Sequence, residues 1–241
     1  EGLALRHPRA RAFATIGQNV PGGTQITNVN NADRVTIDGV GGTALIFDSS
    51  GIQTLTMSGA GANALNLGST GSLGASQIGG GGTQIVTAGL PGEQGSINII
   101  GKGAGSGGNS IIVSNPVPGG TQIVSTSGTL TVIGGTSPTS TQAAGIFANG
   151  SAVGGVGWQQ TVNANAIALQ GGPGGSTNGA QIGALNGAQQ VVVGAGGISL
   201  QGGTGGTNNS SVIFGATQDI SSTGNVTISG GAGIGNSARI G

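Results

Sequence analysis

The chain has 241 residues, including 56 Gly and 7 Pro, with six basic and six acidic side chains that cancel, no Cys, and 35% hydrophobic residues. That balance excludes an ordinary disordered chain, which combines low hydrophobicity with high charge, and it leaves no disulfide or thiolate–metal framework. A neutral chain argues against nucleic-acid binding, which needs clustered Lys and Arg to meet phosphates, and no run of about 20 consecutive apolar residues offers a membrane helix. A membrane barrel needs aromatic girdles, which no Tyr, one Trp and four Phe do not supply.

In chain order, residues 1–20 stand apart as an N-terminal arm. Glu1-Gly2-Leu3 is not a signal peptide, so the expectation is a leader already removed. The arm carries the basic cluster Arg6, His7, Arg9 and Arg11, and apolar Leu3, Leu5, Phe13, Ala14 and Ile16. Two roles suit it: an exposed arm or cap on its own first coil, or a contact with a neighbouring subunit through Arg6, Arg9, Arg11 and Phe13.

From residue 21 to 241 a loose unit recurs seven times, opened by Gln25, Gln53, Gln84, Gln122, Gln160, Gln190 and Gln218, at spacings of 28, 31, 38, 38, 30 and 28 residues. Self-similarity at such periods marks a solenoid, propeller or array. Each glutamine leads into a short apolar strand, such as Gln84-Ile85-Val86 or Gln122-Ile123-Val124. A second strand alternates apolar with small polar residues: Val35-Thr36-Ile37, Leu65-Asn66-Leu67, Ile97-Asn98-Ile99, Leu130-Thr131-Val132 and Ile198-Ser199-Leu200. Period two is the mark of a half-buried strand. A third strand completes most units, as Ala44-Leu45-Ile46-Phe47, Ile111-Ile112-Val113, Ile146-Phe147 and Val212-Ile213-Phe214. The recurring Ile-Phe step predicts that Phe47, Phe147 and Phe214 stack along one interior edge.

Runs such as Gly171-Gly172-Pro173-Gly174-Gly175 read as corners, because glycine adopts the positive φ angles that tight turns require. Every proline falls outside these strands, as a backbone ladder demands. The predicted fold is therefore all-β: a parallel β-helix of about seven three-stranded coils, 28–38 residues each. With a rung spacing near 4.8 Å, seven coils make a rod of roughly 34 Å. The glutamines suit two arrangements: a stacked side-chain ladder, as in cross-β fibres, or corner positions with local hydrogen bonds only.

Little in the chain points to catalysis. His7 has no readable Ser or Asp partner, and the Gly-rich runs lack the Lys-Ser/Thr and helix of a phosphate loop. Asp33, Asp38 and Asp48 are the one acidic cluster, fitting glycoside hydrolysis, Ca²⁺ binding or, most simply, solvated turns. No enzyme activity and no cofactor or metal is expected. The sequons at Asn149, Asn209 and Asn225 are weak signals in so Asn- and Ser-rich a chain.

At Ile198-Ser199-Leu200-Gln201-Gly202-Gly203 and Val226-Thr227-Ile228-Ser229-Gly230-Gly231 the chain resembles bacterial surface β-helices, the filamentous-haemagglutinin-like and autotransporter adhesins. The resemblance spans roughly residues 21–241, is compositional, and implies secretion and a cell-surface or matrix role. The last unit stays in repeat register to Ile240 without a capping device, and solenoids ordinarily need caps. The expected function is a structural subunit of an extracellular filament, stacking head to tail with copies of itself through Gln218, Ile220, Val226, Ile228 and Ile240 on one side and the arm on the other. The alternative is a monomeric adhesin presenting loops such as residues 134–141 to a glycan or host surface. Ice or mineral binding and polysaccharide cleavage are remoter.

Overall fold

The computed structural model describes residues 3–6, 13–18, 22–40, 42–48, 50–103, 109–114, 120–138, 143–149 and 159–241. Within them every strand pairs in parallel, and all belong to one sheet wound as a β-solenoid with three faces, I, II and III. The chain enters with β1 (Leu3–Arg6) on face II and β2 (Phe13–Gln18) on face III. Triplets on faces I, II and III follow: β3 (Thr24–Asn30), β4 (Arg34–Asp38) and β5 (Thr43–Asp48); β6 (Ile52–Ser58), β7 (Ala64–Leu67) and β8 (Ser76–Gly80). Next come β9 (Thr83–Ala88), β10 (Ser96–Ile100) and β11 (Ser110–Ser114), then β12 (Thr121–Thr126), β13 (Thr129–Ile133) and β14 (Ala144–Asn149).

Beyond this point the strands run on through corners. β15 (Gln159–Gln170) covers faces I and II, β16 (Ala180–Gln201) all three, and β17 (Ser211–Ser222) faces III and I, before β18 (Val226–Ser229) and β19 (Ala238–Ile240). Register shifts at Ala164/Ala166 and Ala184/Ala188 mark where these strands turn a corner. The expected third strand of most units is present, together with one the sequence did not suggest: in β8 only Ile78 interrupts small and polar residues.

The arm is not separate from the repeat. β1 pairs with β4 and β2 with β5 in parallel register, so residues 3–6 and 13–18 lay two further strands onto the first full turn. Covering that turn satisfies backbone groups which would otherwise lack partners.

Alternation decides what lies inside. On face II, Val35, Leu65, Ile97, Leu130, Ile167 and Ile198 form one buried column and Ile37, Leu67, Ile99, Val132, Leu169 and Leu200 a second. On face III an isoleucine column runs without a break through Ile16, Ile46, Ile78, Ile112, Ile146, Ile182, Ile213 and Ile240. Burying one such side chain contributes about 1.5–3 kcal/mol. The phenylalanines therefore lie on the opposite side from the one predicted. Each follows an inward isoleucine by one residue, and a strand sends successive side chains to opposite faces, so Phe47, Phe147 and Phe214 point out and are half-buried.

Candidate functional site

Two amide-lined corners and one outer groove are the features of this rod with chemistry to offer. The first corner joins face III to face I and holds the glutamines. They face inward: Gln53, Gln84, Gln122, Gln160 and Gln189 are all buried, each two residues ahead of an inward apolar side chain. Their side chains form one directional ladder. Nε2 of each rung donates to Oε1 of the rung before: Gln53 to Gln25 at 3.0 Å, Gln84 to Gln53 at 2.9 Å, Gln122 to Gln84 at 2.8 Å and Gln160 to Gln122 at 2.7 Å. Gln189 continues it to Gln160 at 2.6 Å, and Gln218 to Gln189 at 2.7 Å. Gln190, expected in this column, is exposed and lies opposite Thr161 and Asp219. Parity explains the exchange, since Val191 and Val193 face in and only Gln189 shares their side.

Most of these amides also tie face I to face III. Nε2 donates to the carbonyl of Gly79 from Gln53 (2.9 Å), of Val113 from Gln84 (3.1 Å), of Phe147 from Gln122 (3.1 Å) and of Gly183 from Gln160 (2.9 Å). The column beside the amides is kept small, with Gly80, Ser114, Ala148, Ala184 and Gly215. A Cβ on Gly80 would lie 3.1 Å from Gln84 Nε2.

The second corner, between faces II and III, holds Asn178, Asn209 and Asn236, of which the sequence singles out only Asn209, and that as a sequon. The backbone N–H of Asn178 donates to Asn209 Oδ1 at 2.8 Å, and that of Asn209 to Asn236 Oδ1 at 2.9 Å. Their Nδ2 groups satisfy corner carbonyls: Asn178 those of Ser137 and Gly174, Asn209 those of Gly174 and Gly205, Asn236 those of Gly203, Gly205 and Ala232. The signal was present as an Asn closing each Gly-rich run, at spacings of 31 and 27. Gly175, Gly206 and Gly233 hold these corners at φ of 70°, 73° and 104°. Asn209 is wholly buried, so its sequon offers no accessible acceptor.

The acidic cluster is dispersed. Asp33 is exposed, whereas Asp38 closes β4 and accepts from the hydroxyls of Ser69 (3.1 Å) and Ser72. Asp48 closes β5 on another corner; its Oδ1 accepts from the N–H groups of Ser50 and Gly51, and its buried Oδ2 has no partner among the described residues. Among the described residues no group of three His, Cys, Asp or Glu is placed to hold a metal ion. Lys102, buried just past β10, has its pKa lowered by loss of solvent.

The residues expected to join subunits fall into two sets. Arg6 lies in β1 opposite Asp38 and Phe13 in β2 opposite Thr43, while His7, Arg9 and Arg11 lie outside the described residues. Gln218, Ile220, Val226, Ile228 and Ile240 share the last turn, spread over its three faces. Val226 and Ile228 stand in the inward columns of Ile198 and Leu200, yet are 51% and 47% exposed. Of the loop at residues 134–141, the last three lie outside the described residues.

Outside face III runs the column Gly17, Phe47, Gly79, Val113, Phe147, Gly183 and Phe214. The rings lean onto glycines of adjoining rungs: a Cβ on Gly79 would lie 3.2 Å from Phe47 Cδ2, and one on Gly183 would collide with Cζ, Cε1 and Cε2 of Phe214. A groove of about 410 Å³ follows this column, bordered by Ile111, Phe147, Gln181, Leu185, Asn208 and Phe214.

No protein-family model, curated protein or solved structure matches the chain.

Proposed function

We propose that this protein is a structural rod, a subunit of an extracellular filament or matrix that grows by stacking copies end to end. The observation that carries the reading is the amide ladder from Gln25 to Gln218, buried from Gln53 to Gln189, which commits the interior of every turn to joining the turn before it. A ladder of this kind is directional. Its order leaves Gln25 Nε2 at the donor end and Gln218 Oε1 at the acceptor end, so a second copy stacked in register continues the same hydrogen-bond line. Such a contact is heterologous and extends without closing.

Three further features favour the reading. The side chains at Val226 and Ile228 gain cover from any rung laid on them. Uncharged surface from residue 103 to 218 removes the repulsion that keeps soluble proteins apart. The secreted setting is supported by the resemblance to bacterial surface β-helices, and the proposed role requires no reaction, cofactor or nucleic acid.

Negative-stain microscopy over a dilution series tests it. The expected result is unbranched rods that lengthen with concentration, and Ile228→Lys should shorten them severalfold by placing a charge in the junction. Single rods of one length at every concentration would sink the proposal.

A further inference from the structure

The groove on face III has no part in the stacking just described, because it lies on the side of the rod. We propose that it binds a neutral oligosaccharide. Phe147 and Phe214 stand two rungs apart in one outward column, about 9–10 Å along the rod, with Gly183 between them. Since the Phe214 ring covers Gly183, one of its faces rests on the sheet while the residue remains half-exposed on the groove side. Aromatic faces offer large, rigid contact area, and a pyranose ring presents to them a flat face of C–H groups.

The rim of a sugar needs hydrogen bonds, and the groove supplies them. Gln181 is half-exposed and Asn208 exposed beside the rings, and each amide both donates and accepts. The lining contains no charged group, and none occurs between residues 103 and 218. An ionised ligand would lose hydration there without a counter-charge, so the ligand is neutral. The volume of about 410 Å³ falls in the range of small-ligand sites. An extended peptide is a poorer occupant, because strand addition needs a free sheet edge and β14, β16 and β17 spend their edges on one another at this face.

Isothermal titration calorimetry of the full chain tests this with a soluble β-1,3-glucan, hydroxyethylcellulose and a mannan as neutral probes, and polygalacturonate as the anionic one. At least one neutral glycan should bind. Phe147→Ala and Phe214→Ala should each weaken binding tenfold or more, and Gln181→Ala, which leaves both rings in place, severalfold. Phe47→Ala removes a ring of the same column outside the groove and should leave affinity unchanged, with melting curves confirming that each variant is folded. The inference is overturned if no neutral glycan binds, if polygalacturonate binds as well, or if Phe47→Ala weakens binding as much as Phe214→Ala. It is overturned equally if the groove variants alter only the sedimenting mass, which would make this face a contact between copies. The glycan-binding outcomes do not depend on whether filaments form.

Discussion

At Gln189 and Gln190 one step of alternation separates a structural side chain from a surface one. Gln189 gives its amide to Gln160 and receives that of Gln218, whereas Gln190 is exposed. Replacing Gln189 by Leu strands the amide atoms on either side, at about 1–3 kcal/mol for each buried group left without a partner. Gln190→Leu should shift stability by no more than about 0.5 kcal/mol, as surface substitutions do. Urea unfolding of the two variants measures the contrast, and equal midpoints would rule out the ladder as a source of stability. Lys102 makes a different residue-scale case. Burial lowers its pKa in the folded chain, so between that value and the ordinary lysine range the unfolded chain holds more protons. Stability then rises with pH across this window, the penalty for the buried charge being fully present below it. Lys102→Met should remove that rise, seen as a smaller gain in melting temperature between pH 7 and pH 10 than the parent shows; parallel curves would refute it.

At the scale of the element, face III assigns the inside to isoleucine and the outside to a column in which the rings of Phe47 and Phe214 lean onto neighbouring glycines. The pairing of ring and glycine is steric. Gly183→Val would place carbon where the Phe214 ring lies, at about 1–3 kcal/mol for overpacking. In a Phe214→Ala background the same substitution should cost much less, and a double-mutant cycle by thermal melting reads the difference. Additive costs would show that the ring does not occupy that space. Corners follow a similar logic. The Gly-rich runs supply the φ angles, and Asn178, Asn209 and Asn236 satisfy carbonyls that leave the ladder there. Asn209→Ala should therefore destabilise more than loss of an exposed asparagine such as Asn225.

For the whole molecule, each turn touches the turn before and the turn after, which makes stability close to a sum over rungs and their interfaces. Amide hydrogen exchange should be slowest in β9 to β13, whose strands are paired on both sides, and faster toward β18 and β19. Polymerisation would add a partner to that last turn, so its protection should rise with protein concentration while the middle stays constant.

Much of this architecture was legible before any coordinate. The recurring glutamine, the period-two strands such as Leu65-Asn66-Leu67 and the glycine corners together specify stacked parallel turns, because they are local preferences repeated in register. Side of the sheet was not legible wherever two candidates were adjacent. Ile46-Phe47 and Gln189-Gln190 each offer two residues that suit the interior, and only the column formed with the turns above and below selects between them. The same holds for β8, whose glycines hide a strand that Ile46 and Ile112 hold in place across the ladder, and for β1 and β2, whose pairing with β4 and β5 no repeat announces. Composition and period determined that this chain winds into turns. Which atoms face the axis, and that glutamine amides join into one line while phenylalanines border a groove, was decided by contacts between residues about thirty positions apart, which no local preference encodes.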